Sequence, residues 1–265
     1  VGDNYSYIGA AYVFFRSGTT WSQQKKLTAI DGAHRDNFGA SLAIYGNTIV
    51  VSATGDSDNG PYSGSVHVYI RLGTTWLLQQ KITPSDGAEY DSYGRSVDID
   101  GDTIVVGSNG DDGKGQSSGS VYVYIRLGTT WTQIQKIVAE DSAQYDYFGK
   151  VAIKGNSIVV GASGDDDIGT GSGSVYVFGL APPSPPFPPP SPPAPATPPA
   201  LSQHQKLVAS DGTQYDYFGY SVAIDGETIV VGAYGDGNDW SLIGCVYVFV
   251  RSGTTWSEQK KLVAG

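Results

Sequence analysis

The chain has 265 residues, enough for one large domain or two ordinary ones with a substantial core. A formal charge of −10 excludes a nucleic-acid grip built on Lys/Arg clusters, and no apolar run reaches the roughly 18–20 residues of a membrane-spanning helix. One cysteine, Cys245, excludes an intrachain disulfide framework, while 36 glycines punctuating Val/Ile runs point to an all-β chain rich in turns.

The opening "VGDNYSYIGAAYVFF" aligns with "DGNDWSLIGCVYVFV" from Asp236, so residues 1–24 supply only the second half of a repeated unit. Asn4-Tyr5-Ser6 in this segment is an N-x-S/T sequon, a candidate glycosylation site in a secreted protein. With no methionine and no signal peptide, the chain reads as a processed product or a fragment, or as one whose half-unit is completed by something else.

Four complete units follow, at 25–80, 81–135, 136–205 and 206–260. Phe38-Gly39, Tyr93-Gly94 and Phe148-Gly149 recur every 55 residues, and Phe218-Gly219 follows after 70. Each unit predicts four short strands. "SLAI", "SVDI", "VAI" or "SVAI" follows the aromatic-Gly pair. "NTIVVSA" and its counterparts come next, then "GSVHVYI", "GSVYVYI", "GSVYVF" or "GCVYVFV". A "GTT" turn leads to the fourth strand, "WLLQQKI", "WTQIQKI" or "WSEQKKL". Consecutive apolar residues in the second strand predict burial on both faces, as between stacked sheets. Four-stranded units of this length predict a β-propeller-type array of blades.

These residues carry a resemblance. "YFGYSVAIDGETIVVGAYGD" with "GCVYVF" resembles the FG-GAP repeat, the blade unit of integrin α-subunit propellers and of many secreted proteins. It covers the chain outside 179–202 and implies an extracellular propeller used in adhesion or surface structure. In such repeats a D-x-D-x-D-G-x-x-D loop holds calcium. By that resemblance the candidate metal ligands are Asp56, Asp58, Asp111, Asp112, Asp165, Asp167, Asp236 and Asp239. Gly60 and Gly169 stand where a third acid belongs, so the loops read first as Asp/Gly turns and second as calcium sites. Asp86/Asp91 and their counterparts, present in every unit, predict a lock between blades.

Departures from the repeat carry the remaining signals. His67 replaces a tyrosine, Cys245 a serine, and Trp240 is a candidate ligand contact. No nucleophile–base pair or zinc spacing emerges from three scattered histidines, so an enzyme is not expected. The insert 181–199, holding twelve of the fourteen prolines, predicts a polyproline II rod within the third complete unit. Its "SPP" and "APATPP" phrases resemble hydroxyproline-rich wall glycoproteins, which implies hydroxylation and O-glycosylation at Pro185, Pro186, Pro192, Pro193, Pro195 and Pro198. Together these features predict a structural or assembly module of a glycosylated cell-surface layer, wall or fibre, self-associating through its terminal half-blades. A calcium-dependent adhesion or carbohydrate-binding propeller is the other reading.

Overall fold

The computed structural model describes residues 7–180, 201–236 and 244–263. All regular structure among them is β-strand. β1 (Ala11–Ser17) and β2 (Thr20–Leu27) form a two-stranded antiparallel sheet. Four four-stranded antiparallel sheets follow in chain order. The first holds β3 (Phe38–Tyr45), β4 (Thr48–Ala53), β5 (Ser65–Leu72) and β6 (Thr75–Ile82). The second holds β7 (Ser96–Asp100), β8 (Thr103–Ser108), β9 (Ser120–Leu127) and β10 (Thr130–Ile137). The third holds β11 (Phe148–Lys154), β12 (Ser157–Ala162), β13 (Ser174–Leu180) and β14 (Leu201–Leu207). The last holds β15 (Phe218–Asp225), β16 (Thr228–Ala233), β17 (Cys245–Ser252) and β18 (Thr255–Val263).

Each sheet is a meander, and the array is of propeller-blade type. The turn between first and second strands closes on Gly46, Gly101, Gly155 or Gly226 at φ between 54° and 60°, a region that favours glycine. The repeat boundaries at 25, 81, 136 and 206 fall inside the fourth strands, so a folded blade starts later, at its aromatic-Gly pair.

Blades pack face to face. The second strands are apolar on both faces because each is covered by the next blade: Val50, Val105 and Val159 are all 0% exposed. Burying one such side chain contributes about 1.5–3 kcal/mol. Phe38, Tyr93, Phe148 and Phe218 are buried at the junctions. The Phe38, Tyr93, Phe148 and Phe218 amides donate to the carbonyls of Ile8, Ser63, Ser118 and Ser172 in the preceding blade at 2.9–3.1 Å. A glycine follows each of those carbonyls. A Cβ on Gly9, Gly64, Gly119 or Gly173 would lie 2.0–2.2 Å from the next blade's aromatic carbonyl oxygen.

A second tie joins the fourth strands. Gln80 exchanges two hydrogen bonds with the Trp131 backbone (2.9 and 2.8 Å), and Gln205 does the same with Trp256 (2.7 and 2.8 Å). Gln135 bonds Leu201 in the same way at 3.1 and 2.9 Å, so the unit that lost its Trp keeps the tie through its backbone. Trp76, Trp131 and Trp256 are buried, whereas Trp21, with no described blade before it, is 63% exposed. Leu180 pairs with Leu201, so the proline insert leaves and re-enters at one hairpin end. The insert itself, with its candidate prolines, lies outside the described residues, as do Asn4, Asp239 and Trp240.

Among the described residues, the first and last blades each expose apolar positions that are sealed at the internal junctions. Val230, in the register of Val50, is 38% exposed on the last blade. At the other end Leu42 and Ile44 are 54% and 63% exposed, against 6% and 4% for their counterparts Val97 and Ile99.

Candidate functional site: the acidic loop of each blade

The loop after each second strand turns on an Asp whose carboxylate folds back under its own blade. Asp56, Asp111, Asp165 and Asp236 are buried. Three of them accept a hydroxyl from the first residue of the third strand: Ser65 at 2.9 Å, Ser120 at 2.8 Å and Ser174 at 3.0 Å. Cys245 takes that place in the last blade. Burial and the neighbouring Asp236 push its thiol up, which keeps it protonated and unreactive.

A lysine from the fourth strand enters each cluster. The Lys81 ammonium lies 2.6 Å from Asp31, 2.8 Å from Asp56 and 2.7 Å from Asp58. Lys136 lies 2.7 Å from both Asp86 and Asp111; Lys206 contacts Asp141 and Asp165 at 2.7 and 2.9 Å, and Asp167 as well. Lys261 meets Asp211 at 2.7 Å and Asp236 at 2.6 Å. Burial alone would lower these lysines, but the surrounding carboxylates outweigh it and hold Lys81 and Lys206 above the ordinary value. The reverse holds for Asp111: burial raises it, and Lys136 and Ser120 more than offset that and bring it below the usual range.

Asp31, Asp56 and Asp58, and likewise Asp141, Asp165 and Asp167, converge closely enough to hold a cation. An ammonium already bonds all three in each set. A divalent ion fits there only with the lysine displaced. Asp112 turns elsewhere and accepts the Ser117 amide at 2.7 Å. The lysines escaped the sequence reading because a Lys in "QKI" or "QKK" looks solvated; their recurrence in register with the Asp loops was the available signal.

The acids flanking the aromatic-Gly pair divide the work. Asp31, Asp86, Asp141 and Asp211 reach those lysines, tying each interblade loop to the fourth strand of the blade it introduces. Asp36, Asp91, Asp146 and Asp216 are buried and accept the amide three residues earlier at 2.6–2.7 Å. Burial pushes Asp91 and Asp146 up to about 6.

A tyrosine completes the cluster in three blades. The Tyr122 hydroxyl donates toward Asp86 and Asp111 at 3.1 and 3.0 Å, and Tyr176 toward Asp141 and Asp165 at 2.8 Å each; Tyr247 bridges Asp211 and Asp236. His67 occupies that position in the first complete blade. Its ring packs edge-on to Phe38 at 5.2 Å, much as Tyr122 packs on Tyr93 at 5.3 Å, but it is too short to bridge the acids. Among the described residues neither ring nitrogen has a hydrogen-bond partner, Nε2 standing 3.8 Å from Asp31, and the side chain is fully buried. Burial, with Lys81 beside it, lowers its pKa. A folded-state pKa below the unfolded value of about 6.5 means that the unfolded chain takes up the proton first, so stability is lost as pH falls below about 6.5. His67→Tyr should therefore stabilise the protein by about 1 kcal/mol at pH 7 and by more at pH 5.5. Parallel thermal melts of the two proteins at those pH values check this; equal shifts would remove the histidine from the account.

A search of curated proteins finds no match. Among solved structures, the chain is similar to a candidate 6-phosphogluconolactonase from Bacteroides fragilis NCTC 9343, at 13% identity and TM-score 0.57, covering 96% of this chain and 63% of that one. It also matches Sqt1 of Saccharomyces cerevisiae at 12% identity and TM-score 0.48, covering 86% and 48%. The chain thus spans less than two thirds of either structure, and the first likeness supports the propeller-type fold alone. The FG-GAP repeat pattern matches at residues 21–69, 76–124, 131–178 and 201–249. With most of its length so matched, and with aromatic-Gly pairs seated on glycines at every described junction, the chain belongs to the FG-GAP repeat family.

Proposed function

We propose that the protein is a non-enzymatic structural module of an extracellular, glycosylated layer, wall or fibre, and that it associates with further copies of itself through its end faces. One observation carries this reading: the last blade exposes a surface built to the same rule as the internal junctions. Val230 is exposed where Val50, Val105 and Val159 are sealed. Gly244 keeps the positive φ of the junction glycines, yet its Cβ position meets nothing nearer than 3.4 Å. A cleft of about 460 Å³ between Tyr220, Gly232, Gly244 and Val263 lies over this face. Exposed apolar sheet faces of this kind invite pairing with another β-unit. Contact through different surfaces at the two ends is heterologous, and propagates when it does not close.

The non-enzymatic part of the reading is supported by the sealed His67, the protonated Cys245 and carboxylates engaged by lysine. The proline insert and Asn4 fit a glycosylated surface. Native protein should form oligomers or filaments in electron micrographs and in sedimentation, and Val230→Lys should return it to monomer. Wild-type protein that is monomeric at tens of micromolar would overturn the proposal.

A further inference from the structure

The repeat is most conserved within this chain where blades lock together, so the positions where its units disagree are the ones free to serve a ligand. One such position is the residue after each aromatic-Gly pair: Ala40, Arg95, Lys150 and Tyr220. Another is the residue immediately after the second strand: Thr54, Asn109, Ser163 and Tyr234. Scattered along the sequence, these come together because the first strands β7, β11 and β15 lie side by side. Arg95, Asn109, Lys150, Ser163, Tyr220 and Tyr234 line one cleft of about 220 Å³, which Tyr147 and Tyr217 complete.

The cleft is set apart by two cations that share one wall with tyrosines. The fourth-strand lysines are paired with the loop carboxylates, Arg126 with Asp102 and Arg251 with Glu227. Arg95 and Lys150 have no acid partner among the described residues, in a chain with a net charge of −10. Lys150 is half-buried over the Tyr220 ring at 5.4 Å. Arg95 lines the same cleft, and burial together with that neighbouring charge lowers the Lys150 pKa. Around them the tyrosines form a stiff wall: Tyr217 and Tyr234 stack at 4.8 Å and 5°, and Tyr220 meets Tyr234 edge-on at 4.6 Å. Tyr220 and Tyr234 are each nearly half exposed.

We infer that this cleft binds an anionic saccharide, with Arg95 and Lys150 meeting a carboxylate or sulfate and the tyrosine wall, Asn109 and Ser163 meeting the hydroxylated ring. Rigid aromatic surface costs little ordering entropy on binding, and amide and hydroxyl groups match a ring rich in hydroxyls. Paired cations without acid partners favour a charged ligand over a neutral one. The inference goes beyond the assembly role. Because Tyr220 also borders the open end face, its test turns on Arg95 and Lys150.

The experiment is calorimetric titration of the intact protein with three oligosaccharides of equal length: a galacturonate, a sulfated galactose and a neutral galactose oligomer. At least one charged oligomer should bind ten-fold or more tightly than the neutral one. Arg95→Ala and Lys150→Ala should each weaken that binding at least ten-fold and leave the neutral oligomer unaffected. Both variants place at this register the residue the first blade already carries, Ala40, and an unchanged circular dichroism spectrum verifies their fold. Lys114→Ala, in an acidic loop, should bind as the wild type does. Whether the uronate or the sulfate binds identifies the anion. Equal binding of charged and neutral oligomers, no binding of any, or wild-type affinity in both alanine variants would each overturn the inference.

Discussion

Gly119→Ala is expected to cost the protein about 3 kcal/mol or more, among the largest effects of any methyl-sized change in the chain. Gly119 has φ of 87°, which L-residues rarely adopt, and an added Cβ would sit 2.0 Å from the Phe148 carbonyl oxygen and 2.6 Å from its amide nitrogen. Both are backbone atoms of the next blade, so neither can swing aside. Relief requires the blades to part, which exposes the apolar faces of Val105 and its neighbours. Gly244 is the matching control. It has the same register and a positive φ of 65°, but among the described residues its Cβ position meets nothing nearer than 3.4 Å, so Gly244→Ala should cost only the backbone strain, about 1 kcal/mol. Denaturant titration of the two variants separates junction packing from backbone conformation. Equal losses would mean that the bridge between Gly119 and Phe148 contributes nothing.

Lys206→Met should lower stability by about 2–3 kcal/mol at pH 7, because it strands Asp141, Asp165 and Asp167 around an apolar tip. The figure is set below that of a fully buried pair because Asp141 and Asp167 are about half exposed. Lys206 and Tyr176 together outweigh burial and hold Asp141 below its ordinary range. A depressed carboxylate pKa contributes stability that is present above about pH 4 and lost as pH falls through the folded-state value. The variant lacks that contribution, so its deficit relative to wild type should shrink below pH 4. The same variant decides the metal question. With the ammonium gone, millimolar calcium should raise its melting temperature by several degrees, since three converging carboxylates suit a hard cation. The wild type should be indifferent to calcium and to chelator. A wild type that melts lower in chelator would show that calcium displaces the lysine in the native protein.

Much of the blade was legible because its signals are local. Val/Ile runs closed by Gly46, Gly101, Gly155 and Gly226 mark the hairpins, and the double-sided apolar pattern of "TIVVGA" announces a strand covered on both faces. What escaped was contact between units. Nothing in the sequence marks Gln80, Gln135 and Gln205 on their fourth strands, yet each bonds the backbone of the following blade. Lys81 and Lys206 look like ordinary surface charge until two separate acidic segments close over each of them. Of the four Trp in equivalent positions, Trp76, Trp131 and Trp256 are buried. Trp21 differs only in what adjoins it. For the ligand cleft, the variable positions were visible one by one, but only stacked blades show that Arg95, Lys150 and Tyr220 share a wall.

Every tie described between blades joins one unit to the next and reaches no further: an aromatic amide on a carbonyl, a glutamine on a backbone, a valine under a first strand. Stability in such an array is a sum over neighbours. A whole unit can therefore be gained or lost by recombination between similar stretches of coding sequence without inventing a contact, provided the exchange is in register. Lengthening one hairpin, as between Leu180 and Leu201, leaves the Gln135 tie to the neighbouring blade in place. Copy number and hairpin length are thus the two quantities in which relatives of this protein can diverge most cheaply, while the aromatic-Gly pair and its opposing glycine must change together or not at all.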